Sequence, residues 1–92
     1  MAFTRDEAAA RAAADLAERL GVARDEIAAE SIEDVEFPDA NFGANAAGEV
    51  SAQMLTPGWR IRLRAGNQTY EYRANRNRLR LFNYQGANHR VV

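Results

Sequence analysis

The sequence predicts an α+β domain in which one N-terminal amphipathic helix packs on an antiparallel sheet of about four strands, arranged as a meander. Three observations point there. A capping-box helix opens the chain, two runs beginning near residues 59 and 69 alternate apolar and charged residues without a fault, and the apolar sets of helix and strands are each one-sided, so each needs the other as cover. At 92 residues there is room for one core and no second domain, so residues 1–92 read as a single unit.

The segment Thr4-Arg5-Asp6-Glu7 fits the S/T-x-x-E capping box, in which the threonine hydroxyl and the glutamate carboxylate each accept from a backbone N–H that the first turn leaves free. Ala9, Ala13, Leu16 and Leu20, with Ala12 and Ala17 alongside, fall on one face, while Glu7, Arg11, Asp15 and Arg19 form a solvated i, i+4 ladder of alternating charge. Gly21 supplies the left-handed position that commonly ends a helix, so the pattern predicts a helix over about 5–20. The small inward alanines allow close approach to a sheet. Asp25 and Glu26 can open one further turn before Ile27.

Residues 28–37 mix β-branched and acidic residues and stop at Pro38, which cannot donate to a central ladder; they read as a first strand. Val35 and Phe37 share a face, but Ile32 falls with Glu30, Asp34 and Glu36 unless a bulge shifts the phase. The clearest β signal is the run Trp59 to Arg64 followed by Thr69 to Ala74. A two-residue loop at Gly66-Asn67 joins strands 59–65 and 68–74. It sets Leu63 opposite Tyr70, Ile61 opposite Tyr72, Trp59 opposite Ala74 and, on the other face, Arg62 opposite Glu71. A connection at 75–78 then places a strand at 79–84, with Leu79 opposite Ala74 and Leu81 opposite Tyr72. Trp59, Ile61, Leu63, Tyr70, Tyr72, Leu79 and Leu81 thus form the sheet side of the core. Residues 38–58, with Pro38, Gly43, Gly48 and Pro57-Gly58, read as a long loop of a length uncommon unless functional, with a weak strand pattern at Val50, Ala52 and Met54. The polar tail from Asn83 is expected to fray.

A hydrophobic content of 47% argues against disorder throughout, and the absence of cysteine excludes a disulfide framework, a thiolate nucleophile and cysteine-ligated zinc. No apolar run reaches the length of a membrane span, and no signal peptide opens the chain. Residues 1–49 hold twelve of the thirteen carboxylates and four arginines, a net of −8, whereas residues 50–92 hold Glu71 and eight arginines, a net of +7. The two halves attract each other. All twelve cations are arginine, the residue suited to forked pairing with carboxylates.

Candidate chemistry is sparse. His89 is the only histidine and falls in the tail, so neither a triad nor a histidine metal site is expected. Asp39, Asn41 and Asn45 place oxygen donors as a calcium loop does, but glycine stands at the fifth position and Val50 at the twelfth, where a bidentate glutamate is needed. Glu30, Asp34 and Glu36 are expected to pair across strands with the arginine face. Arg60, Arg62, Arg64, Arg73 and Arg80 project from the outer sheet face with Phe82 among them, a pattern suited to single-stranded nucleic acid. A sequence pI near 5.8 and the inward-pointing aromatics weigh against it. No cofactor is expected.

Phe37-Pro-Asp-Ala-Asn-Phe-Gly43, then Gly48, Thr56-Pro-Gly-Trp-Arg-Ile61 and Tyr70-Glu-Tyr-Arg73 resemble the pattern of small uncharacterised bacterial exported or lipoprotein-type domains. There the run reads roughly W-P-D-x-S-L-G-C, followed by T-P-G-Y and Y-x-Y-H. Leu16 to Val22 is similar to the helix end that precedes it. Phe37 replaces the tryptophan, Ala44 the cysteine and Arg73 the histidine, so no disulfide or histidine-based role carries over. The resemblance implies a place outside the cytoplasm and no particular activity. The helix-then-meander layout is also similar to cystatin-like and PepSY-type domains, which implies inhibition or peptide binding by architectural analogy.

The sequence therefore leads to a non-enzymatic binding module for a protein or peptide. Its contact residues are expected to be Pro38, Asp39, Asn41, Phe42 and Asn45 of the loop, with Arg60, Arg62, Arg64, Arg73 and Arg80 of the sheet. Presentation of the loop to a protease and nucleic-acid binding through the arginines are the alternatives. A monomer, or a weak homodimer docking the arginine face on a second copy's acidic strand, is the expected state.

Overall fold

The computed structural model describes residues 2–92. Helix α1 (Arg5–Leu20) leads through a 3₁₀ turn (Arg24–Glu26) into strands β1 (Ile27–Phe37), β2 (Thr56–Ala65), β3 (Gln68–Ala74), β4 (Leu79–Tyr84) and β5 (Ala87–Arg90). The strands lie in chain order in one antiparallel sheet, so β1 and β5 are its edges. The fold is α+β, as the patterns predict, with a fifth strand. The tail expected to fray forms β5, because Gln85 and Gly86 both take positive φ (+53° and +81°) and turn the chain back on β4. His89 consequently sits opposite Leu81 with its ring against Tyr84, 5.7 Å between centroids. No strand forms at Val50 to Met54; β2 instead begins at Thr56, three residues earlier than expected.

The capping box closes as predicted: Thr4 Oγ1 accepts from Glu7 N at 3.1 Å and Glu7 Oε1 accepts from Thr4 N at 2.8 Å. Gly21 ends the helix at φ +68°. The buried face comprises Ala8, Ala12, Ala13, Leu16 and Ala17, with Ala9 and Leu20 at its margin, a small rotation from the expected stripe. It packs on Ile61, Leu63, Tyr72, Leu79 and Leu81, all fully or almost fully buried. Register across β2, β3 and β4 follows the predicted pairs, Leu63 with Tyr70, Ile61 with Tyr72 and Leu81 with Tyr72 among them. Asp15, expected on a solvated face, instead reaches inward. Its Oδ2 accepts from Tyr72 Oη at 2.7 Å and from Arg19 Nε at 2.7 Å. Burial, then the bond to Asp15, pushes the Tyr72 hydroxyl well above its ordinary pKa, so it stays a donor that ties the helix to the centre of the sheet.

A bulge between Ala29 and Ser31 decides which side of β1 meets what. It brings Ile32 opposite Ile61 on the helix side, where Ile32 packs against the core. The same shift carries Asp34 and Glu36 to the helix side, opposite Trp59 and Pro57, and leaves Glu33 on the outer side opposite Arg60. The expected pairing of Asp34 and Glu36 with arginines is therefore not formed. Glu30, Glu33 and Glu71 are the observed partners. No helix among the described residues is long and apolar enough to cross a membrane.

Candidate functional site

The segment after β1 is not a free loop over its first half. Residues 38–46 fold back over the outer sheet face and form a third layer there. Asp39 starts the turn: its Oδ1 accepts from Asn41 N at 2.9 Å and Gly43 N at 3.1 Å. Burial works against the Asp39 carboxylate, but these two N–H groups, the Ser51 hydroxyl and Arg73 outweigh it and hold its pKa below the usual range. Its oxygen is thus occupied by backbone donors. Phe42 and Gly43 follow with φ of +62° and +66°, which drops the Phe42 ring into the sheet, 5.2 Å from that of Phe37. Phe37, Phe42 and Ala44 are buried, a second apolar cluster on the face opposite the helix.

Arginines hold this layer down through their donors. Arg73 lies with its guanidinium carbon 3.6 Å from the Phe82 ring centroid, and it donates to Phe42 O at 2.9 Å and Glu71 Oε2 at 2.7 Å. Arg78 donates to Ala40 O at 3.0 Å and Asn41 Oδ1 at 2.6 Å. Asn41, 5% exposed, is the hub. Its Oδ1 also accepts from Arg80 at 3.2 Å, and its Nδ2 donates to Asn45 Oδ1 at 2.9 Å. Arg80, 4% exposed, pairs with Glu49, whose Oε1 accepts from Ala46 N at 2.7 Å and whose Oε2 lies 3.6 Å from Arg90 Nε. The Arg80 hydrogen bond is the main reason the Glu49 carboxyl titrates below its ordinary range. Asn88 Nδ2 donates to Asn45 O at 2.9 Å and ties β5 to the same layer.

The predicted contact residues therefore divide. Pro38, Asn45 and Arg64 are exposed, Asp39, Arg60, Arg62 and Arg73 are half-buried, and Asn41, Phe42 and Arg80 lie inside. Arg60, Arg62 and Arg64 face Glu33, Glu71 and Glu30 at 3.0 to 4.0 Å, so the arginine face carries its own counter-charges. Each such pair contributes below about 1 kcal/mol. Among the described residues no group of three or more histidine, cysteine, aspartate or glutamate side chains could hold a metal ion.

The second half of the segment behaves oppositely. Val50, Met54 and Leu55 are 94%, 58% and 66% exposed and belong to no helix or strand. These three, together with Glu49 and Arg78, were not among the residues expected to matter. A signal for them existed, since Val50, Met54 and Leu55 are large apolar residues within the long connection, but Val50 and Met54 read there as part of a weak strand. Arg78, in a turn, carried none.

Fold and site define a small helix-on-sheet domain whose outer face is capped by its own β1–β2 connection. Residues 9–82 match the family described as domain of unknown function (DUF8738), and the chain belongs to that family. No curated protein and no solved structure matches the chain.

Proposed function

We propose that the domain is a non-enzymatic interaction module that engages a protein or peptide through the outer half of the 38–58 segment. One observation carries this reading: three of the four large exposed apolar side chains of the described residues, Val50, Met54 and Leu55, fall within six positions of one loop. Scattered exposed apolar residues need no explanation, whereas a group close together along one loop on a rigid base favours a partner. Asn41, Phe42, Arg78 and Arg80 act as the base of this connection, and Pro38 and Asn45 are exposed on it. Protease inhibition is the second reading, favoured by the exposure of residues 52–55 outside any helix or strand. The counter-charged arginine face weighs against nucleic acid. The resemblance of the Phe37–Gly43 and Thr56–Ile61 runs to exported bacterial domains supports a setting outside the cytoplasm.

The test replaces Val50, Met54 and Leu55 together by serine and compares crosslinked partners with those of the unaltered chain. Loss of specific partners with an unchanged melting temperature is the expected result. Recovery of the same partners by the variant overturns the reading. Inhibition across a protease panel by the unaltered chain alone would select the second reading.

A further inference from the structure

A cleft of about 470 Å³ opens between residues 40–52 and the β4–β5 end of the sheet, lined by Arg78, Arg80, Arg90, Glu49, Ser51 and Val50 among others. Its side chains hold three guanidinium groups against one carboxylate, and Val92, the last residue of the sequence, lines it as well. Arg80 is the critical group, because a cation whose side chain is only 5% exposed needs full compensation. It receives half of one carboxylate: Glu49 serves both Arg80 and Arg90. Two Arg80 nitrogens donate, to Glu49 and to Asn41, while its buried Nε has no partner. Arg60 Nε also lacks a well-aligned bond, but Glu71 Oε2 lies 3.3 Å away, so its charge is answered. Among the described residues, Arg80 alone combines deep burial, an orphan donor and a carboxylate shared with a second arginine.

We infer that this cleft is a binding site for an oxyanion, supplied as the carboxylate of an acidic residue in a peptide partner; the second clause rests on the interaction-module reading above. Guanidinium forks match the geometry of an oxyanion. The site is also built in advance. Arg78 is fixed by Ala40 O and Asn41, and Arg80 by Asn41 and Glu49, so little ordering is left for the moment of binding. Val50 lines the cleft and is 94% exposed, so a carboxylate seated here brings a flanking apolar residue against Val50.

The experiment titrates the full chain, labelled with ¹⁵N, with sodium acetate, sodium phosphate and sodium chloride at matched ionic strength, reading the arginine Nε–H signals and the amides of residues 49–52. Saturable shifts with acetate and phosphate but not chloride are expected. Arg90→Gln, at an exposed residue, should weaken binding about tenfold with an unchanged circular-dichroism melt. Shifts that never saturate, or that chloride reproduces, overturn the site. A further arm compares a short peptide carrying glutamate between leucines with its glutamine counterpart. Tighter binding of the glutamate peptide than of acetate supports both clauses. Acetate binding with no gain from the peptide keeps the oxyanion site and removes the interaction-module reading. Equal binding of both peptides removes the oxyanion site and leaves that reading standing.

Discussion

Phe42 is the side chain on which the third layer turns, and its backbone makes the test unusually specific. The ring is completely buried, so Phe42→Ala forfeits its transfer energy and leaves a cavity beside Phe37, a change that costs about 3–5 kcal/mol. A 92-residue chain holds about 5–14 kcal/mol in total, so the variant stays folded at low temperature but loses a large share of its stability. The residue also sits at φ +62°, where any Cβ is strained by about 1–2 kcal/mol. Alanine keeps that strain and glycine removes it. Phe42→Gly should therefore cost about 1 kcal/mol less than Phe42→Ala, the reverse of the order found at ordinary positions. Urea unfolding followed by fluorescence of Trp59, the single tryptophan, gives both midpoints, and the slopes confirm that the same surface is exposed in each. A loss below about 1 kcal/mol for Phe42→Ala would refute the packed layer. Glycine proving worse than alanine would refute the left-handed turn.

Gly58 is confined without any unusual φ: a Cβ there would collide with the Ala74 carbonyl oxygen and lie 3.2 Å from Phe37 Cε2. Gly58→Ala should lose about 1–3 kcal/mol by overpacking, and an unshifted thermal melt would show that β2 and β3 yield there. Glu49 links stability to pH. Its folded-state pKa is depressed, chiefly by Arg80, so its contribution is present above the unfolded carboxylate value and is lost as pH falls through the folded value. Urea midpoints of the unaltered chain should fall on acidification below about pH 5, with a shallower fall in Glu49→Gln, and parallel curves would contradict the linkage.

What the sequence made legible was everything governed by local alternation. Arg62 meets Glu71 and Leu79 meets Ala74 because a two-residue loop and period-two patterning leave one register. β5 escaped because Gln85-Gly86 is a weaker hairpin signal than Asn-Gly, and Asn88 and His89 give no alternation to compensate. The bulge in β1 was suspected from the misplaced Ile32, but which carboxylates it delivers to the arginines depends on where the extra residue falls. The third layer was illegible for a different reason. Phe42 and Asn41 are buried by contacts to Phe37, Arg78 and Arg80, and such long-range contacts leave no period in the chain. The candidate site is therefore readable from sequence in its residue types and only from the fold in its division between base and surface.

β1 has a neighbour on one side only, and it carries Glu30, Glu33, Asp34 and Glu36 along eleven residues. Two of these carboxylates meet arginines, while Asp34 and Glu36 have no ion-pair partner among the described residues. A second copy approaching in-plane to extend the sheet would have to bring its own unpaired carboxylates alongside, and like charges facing each other across strands oppose that pairing. That outermost strand is thus guarded by charge against edge-to-edge extension of the sheet.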